Sequence, residues 1–174
     1  MLVFFSSSFF AALFGTIAGA FIAYWLTKRN EKLKLTLEFH KEWNSYEMST
    51  HRRHAYNCIK KFPDISYNDL NKFDEVGSIS VYIVLRFYQR LWLCFDNNSL
   101  HKQITASLFY DDFYWYYFIS FNTSLKVVHD DWSAYKDIEK LKVKIREYTS
   151  ELDYQNYRKK YNKKYIDYVS QRRG

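Results

Sequence analysis

The chain has few of the residues that make tight turns and covalent cross-links. It contains one proline, four glycines and two cysteines among 174 residues. Glycine and proline together make about 12 per cent of an average protein, so their scarcity excludes a sandwich or barrel with many turns. Cys58 and Cys94 are too few for a disulfide framework or a four-thiolate zinc site, and they favour a reducing compartment. A single domain built from long helices is the class that remains.

Charged side chains are absent from Leu2 to Leu26. These 25 residues are mostly apolar and would form about 37 Å of helix, which is enough to cross a bilayer. No basic residue precedes the run, and it is longer than the apolar core of a cleavable signal. We therefore predict an uncleaved transmembrane anchor over residues 1–27. The alternative, a core helix of a soluble protein, is disfavoured because the segment is apolar on every side.

Basic residues follow the apolar run immediately, at Lys28, Arg29, Lys32 and Lys34, with only Glu31 opposing them. The positive-inside rule places such a flank in the cytoplasm. We expect a single-pass membrane protein with its N-terminus outside and a cytoplasmic domain over residues 28–174.

Small side chains recur every four residues along the anchor, at Ser7, Ala11, Gly15, Gly19, Ala23 and Thr27. Such a ridge lets two helix backbones approach closely in lipid. It predicts pairing through Ala11, Gly15, Gly19 and Ala23, and hence a homodimer or higher homo-oligomer. The alternative is that glycine and alanine are simply common in spanning helices.

Apolar residues at helical spacing predict an all-α fold, with one N-terminal transmembrane helix followed by a helical bundle that has a long C-terminal helix. The anchor is expected to continue without a linker through Lys28 to Asn44. Further helices are predicted from Asn44 (as cap) to Phe62, Val76 to Phe95, Leu100 to Tyr110, Asp111 to about Val128, and Trp132 to Val169. Residues 64–75 form a loop or short helical turn.

Several short motifs resemble a bacterial family. They are Tyr46-Glu47-Met48 with Arg52-Arg53, then Leu85-Arg86-Phe87-Tyr88-Gln89-Arg90-Leu91, and then Tyr114-Trp115 before an apolar helix. Residues 1–125 resemble small bacterial and prophage-encoded proteins with one N-terminal anchor and a helical cytoplasmic domain of unknown function. The resemblance implies the anchor, the helical fold and a prophage or phage-defence setting, and it implies no catalytic residues. Gln89 stands where an acidic residue is usual in this family.

Two arginines, Arg86 and Arg90, lie one turn apart in the most apolar stretch outside the anchor. An unpaired guanidinium is costly in an apolar environment, so we expect carboxylates to meet them. Glu47, Asp111 and Asp112 are the partners that the motifs indicate. Two interpretations remain open, a structural network of ion pairs and a pocket for an anionic ligand.

Aromatic residues occupy nine of the thirteen positions from Phe109 to Phe121. One face of a helix cannot bury six consecutive rings, so this helix is either central to the core or exposes part of its girdle as an interface. We favour a core helix with one face left for a partner.

Tyrosines and cations alternate near the C-terminus, in the basic tyrosine-rich segment 158–174. The candidate surface comprises Arg158, Lys159, Lys160, Tyr161, Lys163, Lys164 and Tyr165. Cations with interleaved rings suit phosphate contacts and base stacking, and they equally suit an anionic lipid surface. A solvated helix face, membrane lipid and nucleic acid all remain open as interpretations.

Catalytic and metal-binding patterns are weak. His51, His54 and Cys58 share a helix face, but a fourth zinc ligand is not evident, and we expect no metal and no cofactor. No phosphate loop or nucleophile motif occurs. We therefore expect a membrane-anchored, non-enzymatic interaction protein that presents a basic aromatic surface to an unidentified cytoplasmic protein. The alternative is a membrane-tethered nucleic-acid-binding protein or a nucleic-acid-triggered effector.

Overall fold

The computed structural model describes residues 2–62, 67–118 and 133–170, and the side chains of residues 9–62, 69–118 and 136–161 within them. All regular structure in these ranges is helical, which confirms the all-α class. The helices are α1 (Leu2–Trp43), α2 (Tyr46–Lys61), α3 (Tyr67–Phe73), α4 (Glu75–Asp96), α5 (Lys102–Tyr116), α6 (Ser133–Glu147) and α7 (Glu151–Ser170). Their arrangement as a bundle stays a prediction.

Helix α1 runs through 42 residues without a break, so the expectation that the apolar segment continues directly into the basic one is confirmed. Every described side chain from Phe9 to Glu31 is exposed. The helix is long and apolar enough to span a membrane, and the apolar window in it has a mean hydropathy of 1.8 with no residue buried. This part of α1 is therefore not the core helix of the domain.

The last three turns of α1 pack against the other helices, chiefly α5 and α2. Thr36, Phe39 and Trp43 are buried there, three or four residues apart on one face. The Thr36 hydroxyl accepts a hydrogen bond from the His101 backbone N–H at 3.0 Å and lies 3.3 Å from the Thr105 hydroxyl. These contacts hold the start of α5 against α1.

Helix α4 occupies the centre of the domain. Its N-terminus is capped by Asp74, whose carboxylate accepts from the Gly77 N–H at 2.8 Å. Twelve of its 22 residues are buried, and it packs against α2, α3 and α6. The expected helix from Val76 to Phe95 is confirmed with slightly wider bounds, and α3 is the short helical element expected between α2 and α4.

Helix α2 begins one residue later than the sequence predicted. Ser45, not Asn44, is its cap, because the Ser45 hydroxyl accepts from the Met48 N–H at 3.2 Å. Asn44 instead donates from its side chain to the His40 carbonyl at the end of α1. Asn44 therefore satisfies a carbonyl at the end of α1, and Ser45 caps the start of α2.

Helix α5 corrects the prediction of a helix boundary at Asp111-Asp112. The helix is continuous from Lys102 to Tyr116, and both aspartates lie within its second half. Their carboxylates are satisfied by tertiary partners, the Tyr161 hydroxyl for Asp111 and the Trp43 indole for Asp112. Long-range partners therefore explain the acidic pair, and a helix N-terminus does not. The predicted continuation to Val128 lies largely outside the described residues.

The predicted helix from Trp132 to Val169 is wrong as a single element, because it divides into α6 and α7 at residues 148–150. The Ser150 hydroxyl accepts from the Asp153 N–H at 3.1 Å and caps α7. Ile138, Leu141 and Ile145 form the expected apolar seam, but Leu152 is 71 % exposed. After the break, Tyr154, Tyr157 and Tyr161 lie on the face of α7 that packs against the rest of the domain. Tyr154 and Tyr161 are buried.

Candidate functional site

The junction of α1, α2 and α5 holds the densest set of polar and aromatic contacts among the described residues. Trp43 is 1 % exposed and donates from Nε1 to Asp112 Oδ2 at 2.6 Å. The guanidinium carbon of Arg52 lies 4.6 Å from the centre of the Trp43 ring, and Arg52 Nη1 is 3.6 Å from Asp112 Oδ2. The Asp112 carboxylate thus accepts a hydrogen bond from the Trp43 indole and also pairs with Arg52, which stacks on the same indole ring.

Two tyrosines complete this group. The centre of the Trp43 ring lies 5.0 Å from that of Tyr88 and 5.9 Å from that of Tyr116, and the Tyr116 hydroxyl donates to the Arg52 carbonyl at 3.2 Å. Burial raises the pKa of both phenols above the ordinary value, so both stay protonated at neutral pH. We call Trp43, Arg52, Tyr88, Asp112 and Tyr116 the Trp43 cluster.

The contacts of the Trp43 cluster hold several helices together. Its side chains come from α1, α2, α4 and α5, so the hydrogen bonds and ring contacts join four helices. The Arg52 side chain is 23 % exposed, and its Nε is buried without a hydrogen-bond partner. Asp112 is half-exposed, at 47 %, and therefore forms the only strongly hydrated part of the cluster. The cluster supports a fixed junction between α1 and the domain.

The predicted partners of Arg86 and Arg90 are corrected by the structure. Both arginines are exposed on α4, because they point away from its buried face. Arg86 donates to the Tyr82 hydroxyl and the Gln89 side-chain carbonyl. Arg90 pairs with Glu42 and lies over the rings of Phe39 and Phe87.

The predicted acidic partners lie elsewhere. Glu47 is exposed on α2, Asp111 pairs with Tyr161, and Asp112 belongs to the Trp43 cluster. Neither the predicted ion-pair network nor the alternative anion pocket around Arg86 and Arg90 is assembled from these acidic residues. Gln89, at the position where the resemblance expects an acid, bridges α4 to α6 by donating to Asp137 Oδ2 at 3.0 Å.

The basic tyrosine-rich surface divides into two faces on α7. Tyr157 donates to the Tyr110 hydroxyl at 3.2 Å and Tyr161 to Asp111 Oδ1 at 2.6 Å, so both rings pack on α5. Burial raises the pKa of the Tyr161 phenol, and its bond to Asp111 adds to the shift. Arg158, Lys159 and Lys160 are exposed. The side chains of Lys163, Lys164 and Tyr165 lie outside the described residues.

Helix α5 carries the aromatic run as a core element. Four of its rings are buried, namely Phe109, Phe113, Tyr114 and Tyr116, and so is the ring of Tyr117, which follows the helix. Trp115 is half-buried and contacts the half-exposed Tyr56 of α2, with 5.3 Å between ring centres. Lys60 lies 6.0 Å from the Tyr56 ring. These residues, Tyr56, Lys60 and Trp115, form the aromatic edge of α2 and α5.

Gly15, Gly19 and Ala23 of the small-residue ridge are exposed on α1. An open groove of about 410 Å³ lies further along the helix and is lined by Asn30, Leu33, Lys34, Leu37, Glu38 and Lys41. Phe39 and Trp43 point to the other side. A Cβ added at Gly15 or Gly19 would meet nothing within 4 Å.

His51, His54 and Cys58 do not gather around a common point. His51 Nδ1 lies 3.2 Å from the Ser80 hydroxyl, and Cys58 is fully buried against Gly77 of α4. Burial raises the pKa of the Cys58 thiol to about 11. In residues 2–62, 67–118 and 133–170 no group of three His, Cys, Asp or Glu side chains could hold a metal ion.

Sequence reasoning missed Trp43 and Arg52 as members of a site. Trp43 ends the pattern of Phe39 and Trp43 at a spacing of four residues, which signals core packing but not a polar partner. Arg52 lies in a run, His51-Arg52-Arg53-His54, that is typical of a solvated face. The pairing of these residues with Asp112 joins positions that are 69 apart for Trp43 and 60 apart for Arg52 along the chain.

Comparison of this chain with protein-family models, with curated proteins and with solved structures yields no match. The family resemblance, and the prophage or phage-defence setting that it implies, therefore stays a prediction.

Proposed function

We propose that the protein is a single-pass protein of the bacterial inner membrane whose cytoplasmic helical domain binds a protein partner and catalyses no reaction. The observation that carries the proposal is the exposure of the apolar half of α1. Phe9, Phe14 and Phe21 are 65 %, 68 % and 70 % exposed. A monomer in water rarely exposes so large an apolar surface, whereas lipid chains solvate it.

The proposed orientation, with the N-terminus outside and the domain in the cytoplasm, follows from the charges beside the apolar half. Lys28, Arg29 and Lys32 begin two residues after Leu26. Arg29 lies over the Trp25 ring and Lys28 over the Tyr24 ring, a pairing suited to the headgroup layer.

Pairing of two copies through α1 is part of the proposal. Gly15, Gly19 and Ala23 are exposed, and a Cβ added at either glycine would meet nothing within 4 Å. This part of the ridge is therefore open to a second helix. Close backbone contact at Gly15 and Gly19 is the type of packing that associates helices in lipid.

The aromatic edge of Tyr56, Lys60 and Trp115 is the surface that we propose for the cytoplasmic protein partner. Tyrosine and tryptophan are enriched in the energetically important part of protein interfaces. A photo-crosslinker at Tyr56 is expected to give an adduct with a second protein in cells, while one at Tyr46, which is 88 % exposed, gives none. Equal labelling from both positions would contradict this surface.

Nucleic acid is the alternative partner, and the row of Arg158, Lys159 and Lys160 favours it. Base stacking on Tyr161 is not available, because that ring is 2 % exposed. If RNA binds to the full chain with a steep salt dependence that Lys159→Gln and Lys160→Gln reduce, this alternative replaces the protein partner.

Cell fractionation tests the anchor. We expect the full chain to remain in the membrane pellet through an alkaline carbonate wash and to need detergent for extraction. Leu13→Arg with Ile17→Arg should release it, because each arginine at the centre of a spanning helix costs about 2.5–3.5 kcal/mol. Tyr46→Arg is the matched control and should stay in the pellet. Recovery of the unmodified chain in the supernatant would overturn the proposal.

Protease protection tests the orientation. The C-terminus should resist protease added to spheroplasts and be cleaved in inverted vesicles. Cleavage from outside the spheroplasts would reverse the assigned topology.

A further inference from the structure

A second cleft, of about 400 Å³, lies where the turn between α4 and α5 meets the basic part of α1. Trp25, Lys28, Arg29 and Lys32 line it from α1, and Lys102 lines it from α5. Four of its nine lining residues are Lys or Arg, and none is Asp or Glu. The cleft therefore concentrates positive charge from two separate helices.

The cations of the cleft are largely free of acidic neighbours. Lys28 pairs with Glu31 at 3.2 Å, on the rim. In the part of the chain that the structure describes, Arg29, Lys32 and Lys102 form no ion pair with a carboxylate. Arg29 and Lys102 instead lie over the rings of Trp25 and Phe95, at 5.7 Å in each case. An anion entering the cleft would meet three cations without competing carboxylates.

The N-terminus of α5 adds to the positive electrostatic potential of the cleft. His101 precedes the helix and makes no side-chain capping bond, so the backbone N–H groups of Lys102 and Gln103 have no partner within the helix. Helix N-termini carry partial positive charge and bind phosphate groups readily. His101 Nδ1, also at the cleft, is buried without a hydrogen-bond partner.

The position of the cleft along α1 selects among possible anions. The apolar run ends at Leu26, and Lys32 lies six residues later, or about 9 Å along the helix. A headgroup layer extends about 5–8 Å beyond the hydrocarbon on each side. With Leu26 at the hydrocarbon boundary, Arg29 lies about 4.5 Å along the helix, within this layer, and Lys32 lies just beyond it, where a long side chain reaches back toward the headgroups. Phe21, one turn before Trp25 on the same face, is 70 % exposed and could pack against an acyl chain.

We propose that this cleft binds the phosphate of an anionic phospholipid headgroup, with Arg29, Lys32 and Lys102 as its principal contacts. The proposal rests on the proposed membrane location of α1. Occupied by a lipid, the cleft would join α1, the corner between α4 and α5, and the membrane surface at one point. The lipid would fix how the domain sits on the bilayer.

Native mass spectrometry of the full chain from neutral detergent micelles tests the site, with phosphatidylglycerol and phosphatidylcholine as probes. We expect one phosphatidylglycerol retained per chain and no phosphatidylcholine. Lys32→Gln with Lys102→Gln should weaken retention about thirtyfold, because each basic residue near an anionic lipid surface contributes about a fivefold factor. Lys34→Gln with Lys41→Gln removes the same charge from the opposite face of α1 and should change retention less than about twofold.

Three results would contradict the proposal, and they are distinguishable. Equal loss from both double variants, with anchoring intact, would show diffuse attraction and no site. Displacement of phosphatidylglycerol by an equimolar amount of inorganic phosphate would assign the cleft to a free anion. Recovery of the full chain without detergent, before any lipid is added, would instead remove the proposed membrane function. Unchanged thermal unfolding of both double variants is the control for folding.

Discussion

The two halves of α1 form the same kind of hydrogen bond within the helix, but the first half is exposed and the second packs against the domain. Thr16 and Thr36 each donate from the hydroxyl to the carbonyl four residues earlier, at 2.9 Å and 2.8 Å. Only Thr36 has further partners, on α5. Phe14 is 68 % exposed, whereas Trp43 is 1 % exposed. The same helix is therefore an exposed apolar surface over one part and a core element over the other.

This difference separates the roles of the two halves. The described side chains from Phe9 to Glu31 take no part in the core, while Trp43 contacts α2, α4 and α5. Substitutions in the first half should therefore act on membrane insertion and pairing, and those in the second half on folding.

The largest effect is expected from Trp43→Ala. Removing a buried tryptophan typically costs about 3–5 kcal/mol, and here it also leaves the carboxylate of Asp112 and the guanidinium of Arg52 without their shared indole. Thermal unfolding followed by near-ultraviolet circular dichroism in detergent measures the loss. Phe14→Ala is the matched control in the exposed half and should leave the transition unchanged. Equal shifts for both variants would erase the contrast between the halves.

The next largest effect is expected from Gly77→Ala. A Cβ added at Gly77 would lie 2.5 Å from Cys58 Cβ, so Gly77→Ala must push α2 away from α4. Overpacking of this kind costs about 1–3 kcal/mol, which outweighs the gain of about 1 kcal/mol from replacing a helical glycine. Chemical denaturation should show the domain destabilised.

The glycines of the apolar half should respond differently, because a Cβ at Gly15 or Gly19 meets no atom within 4 Å. The double variant Gly15→Ile, Gly19→Ile should leave domain unfolding unchanged and abolish self-association in a membrane reporter assay. Undiminished association would remove the proposed pairing through the ridge.

Alkaline pH should separate the halves without any substitution. Burial raises the pKa of the Cys58 thiol to about 11 and that of the Tyr114 phenol to about 12. Because the unfolded chain releases these protons at lower pH, raising the pH from about 9 to 12 favours unfolding of the domain. No titratable side chain lies between Leu2 and Ala23, so helical signal from α1 should persist. A pH-independent near-ultraviolet signal over this range would contradict the buried state of both groups.

The smallest effect is expected at the ion pair between Glu42 and Arg90. Both side chains are about half exposed, at 42 % and 53 %, so solvent screens their attraction. A double-mutant cycle with Glu42→Gln and Arg90→Gln should give a coupling energy of about 0.2–1 kcal/mol. Arg90→Gln alone should cost more than Glu42→Gln, since Arg90 also covers the rings of Phe39 and Phe87.

Local signals in the sequence were sufficient for the helices with one strongly apolar face. The uninterrupted run from the apolar segment into the basic one predicted α1, and the spacing of Val81, Val84 and Tyr88 predicted α4. A boundary was predicted at Asp111, where α5 is continuous, and the boundary at residues 148–150 was missed. The acidic residues resembled a helix start but have distant partners, while Ser150 caps α7 by accepting a hydrogen bond from the Asp153 N–H.

The candidate site was less accessible to prediction. Arg86 and Arg90 were expected to be buried from the hydrophobicity of their neighbours, yet a helix with one buried face leaves such residues on the other face. Asp112 was predicted to meet Arg86 or Arg90, and the structure pairs it with Arg52 instead. Which charged residues meet depends on how helices cross, and no local pattern encodes that.

The absence of any break in α1 has a mechanical consequence. Trp43 lies 17 residues beyond Leu26, or about 25 Å along a rigid rod. In a bilayer, the average tilt of about 20° would swing its far end sideways by about 9 Å, and a change in bilayer thickness changes that tilt. In a bilayer, tilting α1 from upright to this average angle would therefore displace the domain sideways by nearly the diameter of a helix.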